Sequence, residues 1–444
     1  MAKSYPSDQA IWELSRELGL DPCPVHFESV PAPVLYEFAA YLIPGRMSHW
    51  SYGKAYHLMK TRYDYGLNKL YEMVVNTNPA YAFLLDSNSE LENTFVRAHV
   101  MGHVDFFQHN MAFSHTPPDM IEVVTRHAER VRQYEFQFGR DQVEAFLDAV
   151  LSLEEHVSWP TPPIHLPARA KPAPLSPAER QWVEELGHPP LGPGESRIHQ
   201  IHPRQAPEDD LLKFIMQESR HLDDWQRDIV AMVRDEMVYF WPQIRTKIMN
   251  EGWASYWHVA IMRQLPLDDQ DYLDFARLHS QVTAPVMYHV NPYALGYAIF
   301  SDIERRYGRE ALFLARTVDD DVSFVRNYLT EEIARDLHLL VYGPDQDHIV
   351  VKTRDFEEVR QKLVNELVHG GIPVIEVDDG DFNRRGELYL IHRHEGVDLD
   401  LPYAERTLHY VYQLWGRPVH LETVANRKKL ILTYDGKTDS KVVL

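Results

Sequence analysis

A run of prolines divides this chain. Residues 158–207 hold 12 of its 29 prolines. Each proline removes a backbone donor and clashes with a helix interior, so neither a helix nor a central strand passes through such a stretch. It reads as an extended linker or a loop that wraps the surface. A short helix over 178–186, opened by Ser176-Pro177, is its one expected interruption. The rest must fold on either side. The expected organisation is an N-terminal helical segment over 1–157 and a second helical segment over 208–342, packed with the first into one domain. A small α/β module over 343–444 follows.

Hydrophobic periodicity supports that division. Before the prolines, residues 7–18, 52–75, 89–111, 119–138 and 141–156 carry apolar residues at helical spacing. After them, 209–240, 246–263, 268–279 and 291–306 do the same. The last hundred residues change character. Short β-branched and aromatic runs at 348–352, 373–377, 387–392 and 429–434 read as strands, with helices over 355–368 and 404–415 between them. The expected fold class is therefore mainly α: a large helical domain, then a small α/β C-terminal module with a short core of its own.

Charge excludes several partners. The 66 acidic residues outnumber the 45 basic ones, for a net charge of −21. No Lys/Arg cluster is present to meet phosphates, so neither nucleic acid nor an anionic membrane surface is an expected partner. No apolar run is long enough to span a bilayer, and the N-terminus has no signal-peptide core. One cysteine, Cys23, rules out a disulfide within the chain and fits a reducing compartment. The cytoplasm is the expected location.

Chemistry is suggested by the 24 histidines. In LENTFVRAHVMGHVDFFQHN, His99 and His103 are four apart and share a helix face, with Glu92 two turns earlier on that face. Two imidazoles one turn apart can grip one transition metal. Val100 stands where zinc peptidases place a glutamate, so this is no peptidase signature. In NEGWASYWH, Glu251 and His258 are seven apart and share a face, while Gly252 and Ala254 are small enough to admit another backbone. These five residues, His99, His103, Glu251, His258 and Glu92, are the candidate ligands for zinc, iron or manganese. Glu218 and His221 have the Glu-x-x-His spacing of carboxylate-bridged helix bundles, and Glu218 is the candidate base. Each has a plainer alternative. The His99/His103 pair also fits a satisfied polar core, Glu251/His258 a buried hydrogen bond, and Glu218/His221 an exposed helix face. No residue indicates an organic cofactor: there is no glycine-rich phosphate loop and no Gly-x-Ser-x-Gly elbow.

The segment RMSHWSYGKAYHLMKTRYDYG, residues 46–66, is dense in aromatic and basic side chains. It fits a pocket for an anionic or sugar-like ligand, or an amphipathic helix with snorkelling cations. NPYALG, residues 291–296, fits a helix cap.

Several long motifs together resemble the stage V sporulation protein R (SpoVR) family. They are RMSHWSYGKAYHLMKTRYDYGLNKLYEMVVNTNPAYAFLLDSN, AHVMGHVDFF, LDDWQRDIV, YFWPQIRTKIMNEGWASYWH, NPYALGYAIFSDIERR and WGRPVHLETV. The resemblance runs from about residue 10 to 430. It implies a role in endospore formation, in assembly of the peptidoglycan cortex, although relatives also occur in bacteria that make no spores. It supplies no catalytic residues. His99, His103, Glu251 and His258 fall inside the motifs, whereas Glu92 and Glu218 fall where the family pattern is looser. Two functions are expected from these readings. One is a metal-dependent hydrolase acting on a cell-wall-related substrate or a peptide. The other is a non-catalytic regulator or scaffold with a structural His/Glu centre, whose C-terminal module docks a protein partner.

Overall fold

A computed structural model of the chain describes residues 5–65, 69–158, 209–286, 288–345 and 348–444. All but residue 158 of the proline-rich stretch, with its expected helix over 178–186, lies outside the described residues. Before that stretch come α1 (Asp8–Glu17), β1 (Val25–Val30), α2 (Ala32–Tyr41), α3 (Trp50–Asp64), β2 (Glu72–Val75), β3 (Ala80–Leu85), α4 (Glu90–His109), α5 (Met120–Phe138) and α6 (Arg140–Leu151). After it come α7 (Leu211–Glu218), α8 (Asp224–Arg245), α9 (Lys247–Met262), α10 (Asp269–Val282), α11 (Pro292–Tyr307), α12 (Arg309–Val318), α13 (Asp321–Tyr328) and α14 (Glu331–Asp336). The chain ends with β4 (Val341–Asp345), β5 (His348–Thr353), α15 (Phe356–Leu367), β6 (Ile375–Phe382), β7 (Glu387–His392), α16 (Leu401–Trp415), β8 (Val419–Ala425), β9 (Lys428–Tyr434) and β10 (Asp439–Val443). The fold is mainly helical with a C-terminal α/β part, as the periodicity indicates. Among the described residues no helix is long and apolar enough to cross a membrane.

Two expected helices are corrected. The helix expected over 52–75 stops at Asp64, and residues 72–75 form β2 instead. Val74 and Val75 are β-branched and pair with Ala82 and Tyr81 of β3. The helix expected over 209–240 breaks at 219–223. There the Ser219 hydroxyl donates to the carbonyl of Leu414 at 2.9 Å, and Asp223 restarts the helix through a capping box with Gln226.

Strands β1, β3 and β2 form one small sheet, β1 parallel and β2 antiparallel to β3. It lies between two cores, and the alternation of a strand explains how. Ala80, Ala82 and Leu84 of β3 join a core with α4, α9, α11, α12 and α13. Phe83 and Leu85 join the other, built on α5, α6, α7 and α8. That second core continues without a break into the C-terminal sheet, through Leu388, Leu390, Val411, Leu414 and Trp415. The C-terminal part therefore has no separate core. Trp415 stacks on Phe214 of α7 at 5.6 Å between ring centres. The sheet order is β10-β9-β8-β7-β6, with α16 as the crossover between parallel β7 and β8. Among the described residues the hairpin β4–β5 pairs only with itself, and α15 places Val364 in the first core.

The helix crossing that matters for chemistry is α4 on α9 on α11. It depends on residues without side-chain bulk. A Cβ on Gly102 would stand 2.6 Å from Cα of Ala254, and Gly252 of α9 lies directly on Gly296 of α11. The register of α4 on α9 is pinned by the Trp253 indole N–H, which donates to Asp105 at 2.9 Å. Asp321, from α13, accepts from the first amides of α9, those of Ile248 (2.8 Å) and Met249 (2.9 Å).

Candidate metal centre

The α4–α9 crossing brings His99, His103, Glu251 and His258 together in the first core. His99, His103 and His258 are 3%, 7% and 0% exposed. Nε2 of His99 lies 3.7 Å, and Nε2 of His103 3.5 Å, from Oε2 of Glu251. That oxygen is buried and has no hydrogen-bond partner. Both spacings are long for a hydrogen bond. They match the edge between two ligands of a tetrahedral ion with bonds of about 2.1 Å, which is about 3.4 Å.

A fourth group, absent from the sequence expectations, completes the cluster. Glu72, His99 and His103 each offer a ligand atom, and those atoms all lie within 4.8 Å of one another. Glu72 opens β2 and pairs with Leu84. The alternation of the strand puts Glu72 and Val74 on one face, and Val74 packs into the first core beside α4.

The other nitrogens fix the rings. Nδ1 of His103 donates to Asn250 Oδ1 at 2.9 Å, which leaves its Nε2 with a lone pair. Nδ1 of His99 lies 2.9 Å from Nδ1 of His258, and Nε2 of His258 lies 2.9 Å from Nδ1 of His279 on α10. Two orders of tautomers satisfy these contacts, and the one that leaves His99 able to bind an ion runs toward His279. His99 donates to His258 and His258 donates to His279, again leaving Nε2 of His99 with a lone pair. His258 thus supports His99 from behind and is placed as an orienting residue, not in the group that converges on Glu251.

Electrostatics agree with neutral His103 and His258 rings. Burial, with the neighbouring His99, pushes His103 down to about 4 and His258 well below its ordinary value. Burial opposes the charge on Glu251, but His99, set to donate to it, and His103 beside it outweigh burial and hold this carboxyl below its usual range. Burial pushes Glu72 up to about 7, with the Glu251 charge adding to the effect. The charge of Glu251, then burial, raises the Tyr293 phenol on α11 far above its normal value. The Tyr293 ring lies along His99, 6.1 Å between centres.

Two candidates fall elsewhere. Glu92 is the third residue of the α4 capping box: its Oε2 accepts from the Ser89 amide at 2.6 Å and its Oε1 from Lys69 Nζ at 2.8 Å. It lies two helical turns, roughly 10 Å, from His99. Its spacing was that of a ligand, but the start of a helix needs an acceptor there. Glu218 ends α7 on the surface, beside the second core and the C-terminal sheet. The structure does not bring Glu218 or His221 to the cluster. His221 instead packs on Gly416.

A mainly helical protein with a buried histidine–carboxylate cluster at a helix crossing is the class that fold and site define. The chain belongs to the SpoVR family: the family model described as SpoVR like protein matches residues 4–372, and SpoVR-like C-terminal domain matches 373–426. The division between the two falls just before β6. The chain is similar to "Uncharacterized protein YcgB" of Escherichia coli (strain K12), 27% identical over 460 residues that cover 91% of this chain and 88% of that protein. No solved structure matches it.

Proposed function

We propose that this protein is a metal-dependent hydrolase of amide bonds, with His99, His103 and Glu251 holding the ion and Glu72 acting as the base. The observation that carries this reading is the buried Oε2 of Glu251, without a hydrogen-bond partner, set 3.7 and 3.5 Å from the Nε2 atoms of His99 and His103. A buried carboxylate oxygen without a partner is costly, and an ion at that point removes the cost. Zinc, iron or manganese suits two imidazoles with carboxylates, and when bound supplies a Lewis acid that polarises a carbonyl.

The chain's own groups then have defined work. Asn250 and His258 hold the two ligand rings in their tautomers. Glu72, titrating near neutrality, accepts a proton from the attacking water and returns it to the leaving nitrogen as the C–N bond breaks. Tyr293 keeps its proton beside the Glu251 charge. A cavity of about 670 Å³ is lined from α9, α11 and α15 by Ile248, Ala294 and Lys362 but by none of these side chains. SpoVR family membership supports a sporulation-related role, and peptidoglycan of the spore cortex offers amide carbonyls as substrate.

Metal content of protein purified without a histidine tag tests this reading. About one equivalent of a transition metal is expected, lost in His103→Ala and Glu251→Gln. Less than about a tenth of an equivalent, with none restored by added metal, overturns it. Glu72→Gln is expected to keep the metal and lose activity. A second reading, a regulator or scaffold with a structural centre, is favoured by the near-complete burial of all three histidines. Its mark is a His103→Ala protein that melts earlier yet still supports cortex formation.

A further inference from the structure

His279 has no part in the proposed reaction, yet it ends the hydrogen-bond string that begins at His99. Phe275 and His279 are four apart and share a face of α10. Phe275 is buried in the first core, its ring centre 6.1 Å from that of Phe95 on α4. That contact pins α10 against α4 and carries His279 to His258. Tyr297 of α11 meets the His279 ring edge to face, 5.1 Å between centres.

His258 is the middle ring of the string. Burial keeps it neutral, so it holds one proton and offers one lone pair. Its Nδ1 is engaged by His99 and its Nε2 by His279, each at 2.9 Å. Among the described residues neither nitrogen has a further hydrogen-bond partner. His258 therefore passes inward whatever direction its outer neighbour imposes. If His279 donates, His258 donates to His99, and His99 carries its own proton on Nε2, facing Glu251. No ion can bind that nitrogen. If His279 accepts, both bonds reverse and Nε2 of His99 has its lone pair free.

The surroundings of His279 suit an acceptor. Burial, then the charge of Arg263 just beyond α9 and the neighbouring His99, hold this imidazole below its ordinary value, so the ring is neutral and keeps a lone pair. The ring is also partly exposed. A neutral histidine side chain in contact with water favours its proton on Nε2, which leaves Nδ1, the atom facing His258, to accept. We infer that His279 is a positioning residue of the metal centre: it accepts from His258 and so keeps the lone pair of His99 directed at the point beside Glu251 and His103. The inference rests on that centre holding an ion. Without an acceptor at position 279, the ion-binding order leaves the His258 N–H buried and unpaired, a rarer and costlier state than an unused lone pair.

Zinc affinity of the full chain, measured by competition with a chromophoric chelator, tests the inference. Zinc reports the site whichever divalent ion is native, because nitrogen and oxygen ligands hold it more tightly than manganese or ferrous iron. His279→Leu fills the space and cannot accept, and is expected to lower zinc affinity at least about tenfold. In His279→Asn the side-chain oxygen stands where Nδ1 stood and can accept, so affinity is expected to stay within about threefold of the parent. A residue that only filled space would give the opposite ranking, since leucine replaces the ring's bulk better than asparagine does. A second measurement needs no variant. With the histidine nitrogens isotope-labelled and zinc bound, long-range nitrogen–proton couplings are expected to place the His279 proton on Nε2. A proton on its Nδ1 in the zinc-loaded protein overturns the inference, and so does His279→Leu binding zinc as tightly as the parent. Both results leave the metal centre standing, whereas a parent chain that binds no zinc loses the centre and the inference together.

Discussion

Asn250 contributes one oxygen, and that oxygen decides what His103 can do. By accepting the Nδ1 hydrogen bond it leaves Nε2 with a lone pair for an ion held beside Glu251. Groups that orient a ligand ring in this way are each worth about 10–100-fold in metal affinity. Asn250→Ala is therefore expected to lower metal affinity by that factor in a competition titration, with only a small fall in Tm. Glu92→Gln, in contrast, is expected to leave metal content unchanged and cost no more than about 1 kcal/mol, because it disturbs a cap. The candidate site was legible where its geometry lies within one helix. His99 and His103 share a face by spacing alone, and so do Glu251 and His258. Spacing cannot say which ring nitrogen points where, so it could not separate His258, behind His99, from the group around Glu251. Glu72 carried no signal at all. It lies on a strand within a segment whose apolar spacing also fits a helix, and it meets His99 only through the tertiary fold.

At the scale of elements, α4 and α9 meet because Gly102 gives up a side chain. An added Cβ would force the helices apart by tenths of an ångström or more against the backbone of Ala254. Gly102→Ala is expected to destabilise by about 1–3 kcal/mol, read in urea unfolding, and to lower metal content because His99 and His103 sit on one of the separated helices and Glu251 on the other. Gly53, on an exposed face of α3 with nothing near, supplies the control: Gly53→Ala should raise stability by about 0.5–1 kcal/mol. Small residues in NEGWASYWH announced such a crossing, and the α4 and α9 boundaries were visible in the sequence. The strands β1, β2 and β3 were not. A sheet this small, lying between two cores, buries both faces of β3, so alternation of polar and apolar residues disappears. AYAFLL then reads the same for a strand as for a short buried helix.

Across the whole molecule, burial displaces titrations in two opposed directions, and two groups outside the centre make this measurable. Burial pushes His156, just beyond α6, down to about 4. Its unfolded value is about 6.5, so as pH falls below that point the unfolded chain takes up a proton that the folded chain refuses. Stability is lost from about pH 6.5 down to about 4, by at most about 1.4 kcal/mol per pH unit. Asp321, buried under the start of α9, is pushed up to about 8 by burial. Below its unfolded value, near 4, both states hold the proton. Above it the unfolded chain ionises first, so stability is lost as pH rises toward 8. The other titrating groups of the chain cancel when each variant is compared with the parent at the same pH. His156→Gln is therefore expected to gain on the parent steadily from pH 6.5 to 4, and Asp321→Asn to gain from pH 4 to 8. Urea unfolding at half-unit pH intervals reads both slopes. Two differences that stay flat would mean that water reaches these side chains and that the interior around them is not dry.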